Sequence, residues 1–195
     1  MGKVNIPEGK SGDWEINHFT VEQNDPKALY YALHGRPVPP GSYTRLLHNG
    51  SVIMSSTPAE MDDHKALFKN AHGKVLINGL GLGVVLVKLL SKNNCTSIDI
   101  VEVSEDVINL VKPYYPDPRI TIYHADAFTV QWPKSKRWDI IWHDIWASIC
   151  ADNLSEMRRL RRKYAHRCNW QGFWCEQECR IQMRREATGG SVLSL

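Results

Sequence analysis

The chain lacks several things that would have narrowed its class at once. It has no run of 18 apolar residues, so a membrane-spanning helix is not expected. The opening stretch, residues 1–15, has no apolar core of the kind a secretory leader needs, and Ile6 stands where an N-myristoylation motif wants Ser or Thr. Cysteines number five, at 95, 150, 168, 175 and 179. An odd count with irregular spacing excludes a simple disulfide framework, so the default expectation is a reducing, cytoplasmic setting. There is no internal repeat and no low-complexity tract. Charge of one sign is also scarce over most of the chain. Residues 1–150 carry 15 Lys+Arg against 16 Asp+Glu, whereas residues 151–195 carry 9 against 5, so the basic excess lies in the tail.

What is present is ordinary for a globular protein of 195 residues, with 43% hydrophobic and 23% charged side chains. The informative stretch is Lys74–Leu90. Val75, Leu76 and Ile77 form a short apolar run, as in a buried parallel strand. Gly79, Gly81 and Gly83 follow, and then a mostly apolar helix from Val84. Such a strand–turn–helix lets backbone approach a ligand and offers free N–H groups at the helix start. The spacing is G-x-G-x-G. A dinucleotide fingerprint would need a third glycine at Val84, and a phosphate-cradling P-loop would need Lys after the glycines; neither is there. A glycine turn without a ligand is the competing reading.

Around this stretch the pattern predicts alternating elements. Trp14–Val21 reads as an edge strand after a loose start. Asp25-Pro26 opens a short helix over 27–33, and the Pro- and Gly-rich stretch 34–42 is a loop. Tyr43–Leu47 and Ser51–Ser55 form a hairpin across Asn49-Gly50. Thr57 and Glu60 have the spacing of a capping box, with a helix running to about His72. Strands are expected at Ser97–Val103, Ile120–Tyr123 and Trp138–Trp142, with a helix Glu105–Val111 capped by Ser104. Asp152–Arg167 and Trp174–Arg185 read as helices, with a turn or short strand at Asn169–Phe173 between them. The class is therefore α/β, a doubly wound, mostly parallel, Rossmann-like sheet. Three segments divide it: 1–56, an N-terminal strand and hairpin extension; 57–150, the ligand-binding core; and 151–195, a basic helical segment.

Three carboxylates fall at strand ends, where open α/β sheets bind ligands. Glu102, followed by Val103, ends the second core strand, and a carboxylate there suits a ribose diol. Asp126, followed by Ala127, comes after the third strand and can accept from an adenine amine. Asp144, after the fourth, faces the substrate side. In this order, with the glycine turn, residues 74–148 resemble the nucleoside-binding frame of class I S-adenosylmethionine (SAM)-dependent methyltransferases. That resemblance implies SAM as donor, held by Gly79, Gly81, Gly83, Glu102, Val103, Asp126, Ala127 and Asp144. The hairpin and the helix before the glycines resemble the spermidine synthase-like (polyamine synthase) branch, whose D-E-x-x-Y-H is matched here at Glu60 and His64 but not at its Asp and Tyr. Glu60 thereby joins the donor-binding set, and the branch's catalytic aspartate falls on Asp144. The acids which that branch carries inside its glycine motif and three residues past the catalytic one are Leu82 and Ala147 here. Both would hold cationic amine groups. The favoured expectation is accordingly methyl transfer to a small-molecule acceptor, an amine among the candidates. Aminopropyl transfer from decarboxylated SAM and a non-catalytic nucleoside- or nucleic-acid-binding module are the alternatives.

Asp144 is the expected base, with His143 and His64 behind it; a strand-end packing role for His143 and a surface position for His64 compete with that. Trp142 and Trp146 are read chiefly as core. Arg158, Arg159, Arg161, Arg162, Lys163 and Arg167 make a basic helix that could follow a phosphate backbone, or be a solvated face. His166, Cys168, Cys175 and Cys179 match no common zinc spacing, and no metal is expected. The 51 residues after Asp144 look mostly helical, which predicts a shortened sheet whose open edge a second copy of the chain could cover.

Overall fold

A computed structural model describes residues 4–23, 25–26 and 36–188. The helix expected over 27–33 lies outside the described residues. Two sheets organise the rest. The first is antiparallel, in the order β1 (Gly9–Ser11), β2 (Trp14–Val21), β3 (Gly41–His48), β4 (Ser51–Ser55). β2 is not an edge strand, because β1 pairs along its outer side from Gly9↔Ile16 to Ser11↔Trp14. Three short polar-flanked residues carry too little periodicity to have been read as a strand. The β3–β4 hairpin turns at Asn49-Gly50, both with positive φ (50° and 76°), the conformation of a type I′ turn.

Two short helices, α1 (Pro58–Asp63) and α2 (Lys65–Asn70), lead into the second sheet. A single helix was expected here, and it breaks at His64. The capping box does not form either. Glu60 reaches past Thr57 and accepts from the Ser55 N–H (2.7 Å) and hydroxyl (2.8 Å), which ties α1 to the end of β4.

The second sheet is wholly parallel, in the order β7 (Ile120–His124), β6 (Cys95–Glu102), β5 (Gly73–Asn78), β8 (Trp138–His143), β9 (Cys168–Phe173). β9 pairs with β8 from Trp138↔Cys168 to His143↔Phe173. The C-terminal segment therefore supplies a fifth strand as well as the helices α5 (Asn153–Tyr164) and α6 (Glu176–Ala187). Its sequence, with Gly172 and two polar residues inside, lacked the apolar run of a central strand. α3 (Val84–Leu90) and α4 (Glu105–Val111) complete the crossovers, and Ser104 caps α4 by accepting from the Val107 N–H as expected.

Strand alternation sorts the core onto two faces. Val75, Ile77, Ile98, Ile100, Ile140 and Trp142 pack beneath α3, α4 and the antiparallel sheet, with Leu67, Leu86, Leu89 and Ile16. Leu76, Val101 and Ile141 point the other way, against Leu154, Met157, Leu160 and Tyr164 of α5 and Cys179 of α6. Burial on both faces is what a parallel sheet requires. The chain leaves β5 toward β6 and β7 on one side and toward β8 and β9 on the other, so the switch point falls between the ends of β5 and β8.

Candidate active site

A cavity of about 590 Å³ opens at that switch point, between the strand ends and the antiparallel sheet. This is the size and place expected of a small-molecule site. Its floor is Gly79 and Gly81 after β5, Glu102 and Val103 at the end of β6, Ala125 to Phe128 after β7, and Asp144 to Ala147 after β8. Trp14, His48, Met54, Glu60 and His64 come in from above, and Arg36 and Trp174 from the sides.

The glycines behave differently from the expectation. Each has positive φ (100°, 49° and 66°), but the space a Cβ would take is filled by the chain itself. At Gly79 a Cβ would collide with the Asp144 carbonyl, and at Gly81 with Met54 Sδ. At Gly83 it would meet the Tyr115 ring at 2.6 Å. Gly83 is buried away from the cavity, under a Tyr115 whose hydroxyl donates to the Leu82 carbonyl (2.9 Å). Four of the five amides of residues 79–83 are engaged within the chain: Gly79 donates to the Val101 carbonyl, Leu80 to Glu102, Leu82 to Met54 Sδ and Gly83 to the Leu80 carbonyl, which leaves the Gly81 N–H. Close approach therefore serves the protein's own packing, drawing β8's end and the antiparallel sheet onto the turn. Gly79 and Gly81 still present backbone to the cavity.

Glu102 is almost wholly buried and doubly held. Oε2 accepts from the Leu80 N–H (2.8 Å) and Oε1 from the Ser104 N–H (2.9 Å). A carboxylate has about four acceptor positions, so two remain for a ligand. Val103 beside it is exposed, with only part of its surface facing the cavity. Asp126 keeps one oxygen on the Phe128 N–H (2.6 Å), which fixes the turn after β7, and Ala127 is buried below it.

Asp144 is positioned by backbone pairing at its own position, its N–H donating to the Asn78 carbonyl (2.8 Å). Its side chain is starved of donors. Burial, and then the charges of Glu60, Asp63 and Glu102, push its pKa up to about 7. The nearest basic group to its carboxylate is His64 Nε2, at 3.8 Å from Oδ2. His64 is not a surface residue. It is 2% exposed, packed against Phe68 and Trp142, and its Nδ1 has no partner among the described residues. Burial lowers its pKa to about 4, so at pH 7 it is a neutral imidazole beside the carboxyl group and not half of an ion pair.

His143 is set apart from this group. It points to the opposite face of β8, stacked on Phe173 (4.5 Å) and bonded to Asn78 Nδ2 (2.8 Å) and, more weakly, Gln171 (3.3 Å). Burial brings its pKa down to about 3. The one-residue alternation of a strand turns His143 inward where its neighbour Asp144 reaches the cavity. The same alternation buries Trp142, whereas Trp146 lies on the cavity wall, its indole N–H donated to Glu156 (2.7 Å).

Sequence reasoning missed Arg36, Met54, Trp14 and Trp174, which belong to no motif. Asp63 went unassigned too; it holds the Arg36 guanidinium through two bonds (3.1 and 2.8 Å). On α5 and in the turn after it, several basic residues are engaged locally. Arg161 pairs with Glu176 (2.8 Å) and covers Phe173, Lys163 donates to the Val130 carbonyl, and Arg167 is held by carbonyls of 132, 133 and 136. Arg158, Arg159 and Arg162 are exposed, Arg159 lying over the Phe128 ring. The five cysteines are free thiols, with Cys95, Cys175 and Cys179 buried. No helix among the described residues is long and apolar enough to cross a membrane.

No protein-family profile matches the chain. Over 108 residues it is 34% identical to a polyamine aminopropyltransferase of Lachnospira eligens, a match that takes in 49% of this chain and 38% of that protein. The chain thus spans well under half the length of the relative it matches. Among solved structures it is similar to spermidine synthase from Thermotoga maritima (20% identity, 80% of this chain, 52% of the other, TM-score 0.45). An N-methyltransferase from Bradyrhizobium japonicum is a further neighbour (16% identity, 52% of this chain, 55% of the other, TM-score 0.40). By its own strand order the chain has a Rossmann-like, class I methyltransferase-like fold, and over 49% of its length its sequence is similar to a polyamine aminopropyltransferase.

Proposed function

We propose that the chain is a SAM-dependent transferase that moves a methyl group to an amine acceptor, with Asp144 taking the acceptor's proton. The observation that carries this is the pairing of two unlike carboxylates at the strand ends of one cavity. Glu102 is fixed by two backbone donors with acceptor positions left over, which suits it to hold a ribose. Asp144, with a pKa near 7, is matched to accept a proton at neutral pH. The residues present fit a sulfonium nucleoside: carboxylates at 60, 102, 126 and 144 favour a cationic ligand, and Asp126 with Ala127 offers an edge and a wall to a base. A bound donor of this kind supplies an electrophilic carbon and a neutral thioether leaving group. The chain's own residues do the rest. Asp144 attracts a protonated amine and removes its proton, and the indoles of Trp146 and Trp174 exclude water from one side. Neutral His64 buttresses the carboxyl group from a desolvated position, so the proton has no better base to go to.

Aminopropyl transfer is the second reading, favoured by the likeness to a polyamine aminopropyltransferase. Against it stand Leu82, buried with no access to the cavity, and Ala147, an uncharged residue on its wall. Incubation with SAM or decarboxylated SAM and a panel of mono- and diamines, read by mass spectrometry, separates the two. Methylated product from SAM is expected; aminopropylated product from the decarboxylated donor alone overturns the first reading.

A further inference from the structure

The charges of the cavity are unequal in number and grouped. Glu60, Glu102, Asp126 and Asp144 line it, and Arg36 is the one Lys or Arg side chain among the described lining residues. Arg36 enters from the segment before β3, far in sequence from the strand ends. Its fork is fixed from behind, Nη1 donating to Asp63 Oδ1 (3.1 Å) and Nη2 to Oδ2 (2.8 Å). A guanidinium carries five N–H donors, so three remain after this pairing. The side chain stays 39% exposed, and the residue lies within electrostatic reach of Glu60, one turn back on the helix that carries Asp63. One corner of the cavity thus presents a cation fixed by Asp63 within electrostatic reach of an anion. That pair is complementary to an α-amino-carboxylate: ammonium toward Glu60, carboxylate toward Arg36. A tail carrying the ammonium alone would leave the guanidinium facing a cation.

We infer that Arg36 forms a carboxylate subsite and that the sulfonium donor taken by this chain is one that keeps its α-carboxylate. The inference rests on the transferase reading above and deepens it. It names the residue that chooses between the two donors. Arg36 is a specificity-determining residue and stands apart from the proton transfer at Asp144. An acceptor bearing a carboxylate could use the same corner, so the test separates the donor's tail from the acceptor's.

Calorimetry without acceptor, on the full chain, decides it, with SAM, decarboxylated SAM and methylthioadenosine as probes. The wild type is expected to bind SAM at least about tenfold more tightly than the decarboxylated donor, the effect of one charge-assisted contact. Arg36→Met should abolish that preference by weakening SAM, with decarboxylated SAM bound as well or better because Asp63 is bared. Arg36→Lys, which keeps the charge but not the fork, should fall between them. Methylthioadenosine has no tail, so its affinity should be the same in all three proteins, which also shows that each is folded. Equal affinity of the wild type for the two donors, the result expected if the corner serves the acceptor, overturns the inference. So does a preference that survives Arg36→Met. Loss of methylthioadenosine binding in the wild type overturns the transferase reading itself, and the subsite with it.

Discussion

Glu102 and Asp144 end two parallel strands of one sheet, separated by β5 alone, and both face the same cavity. They are chemically near-identical and are treated in opposite ways. Glu102 is fed by two backbone N–H donors, one from the glycine turn and one from the start of α4. Asp144 receives burial and three neighbouring negative charges, with a neutral imidazole 3.8 Å away. The first becomes a fixed acceptor. The second becomes a group that gains and loses a proton near neutrality. Under the proposed function, environment and not residue type would divide the labour between binding and proton transfer.

The comparison breaks most sharply at Asp144. Asp144→Asn keeps size and shape but cannot take a proton, and turnover should fall by about 100- to 10,000-fold with methylthioadenosine binding retained, measured by single-turnover assay beside calorimetry. Turnover within a few-fold of wild type would remove Asp144 from the chemistry. Glu102→Ala is the mirror case. It should weaken methylthioadenosine by about 1–3 kcal/mol, since it removes ligand contacts and orphans the Leu80 and Ser104 amides. Unchanged affinity would take Glu102 out of the site.

Protonation gives a third test. His64 and His143 titrate at about 4 and about 3 in the folded chain against 6.5 unfolded, so each contributes stability above pH 6.5 that is lost on acidification. Asp144, raised from 3.8 to about 7, works the other way, holding a proton in the folded state over that window. These three groups leave a net loss of about 1.4 kcal/mol per pH unit below pH 6.5, reduced toward pH 4.5, where Glu60, its pKa also raised by burial, holds a proton in the folded state; urea unfolding reads it. Asp144→Asn should steepen that slope, because the opposing group is gone; an unchanged slope would mean that Asp144 titrates as an ordinary carboxylate. The smallest effect is expected at Glu60. Removal of its charge in Glu60→Gln should let the Asp144 pKa fall, so the rise of rate with pH should move to lower pH.

The frame was legible in the sequence because it is local. An apolar run, glycines at alternate positions and an apolar helix specify strand, turn and crossover within Lys74–Leu90, and an acid after each later strand marks the ligand edge. β9 was read only as a turn or short strand, since Cys168–Phe173 is half polar and gains its place from pairing with β8. The glycines were legible as necessary, but the contacts inside the protein that also require them were not. What presses on them is the Asp144 carbonyl, Met54 and Tyr115, from segments 27 to 65 positions away.

The sequence by itself determined most of the core strands and helices, the position of the glycine turn and which acids fall at strand ends, all properties of residues within a few positions of one another. Tertiary structure alone decided that Asp144 faces the cavity while His143 faces the core, that His64 is buried and neutral, and that Arg36 arrives beside Glu60. Orientation, desolvation and the sum of neighbouring charges are set by chain segments that meet only on folding, and no local pattern encodes them.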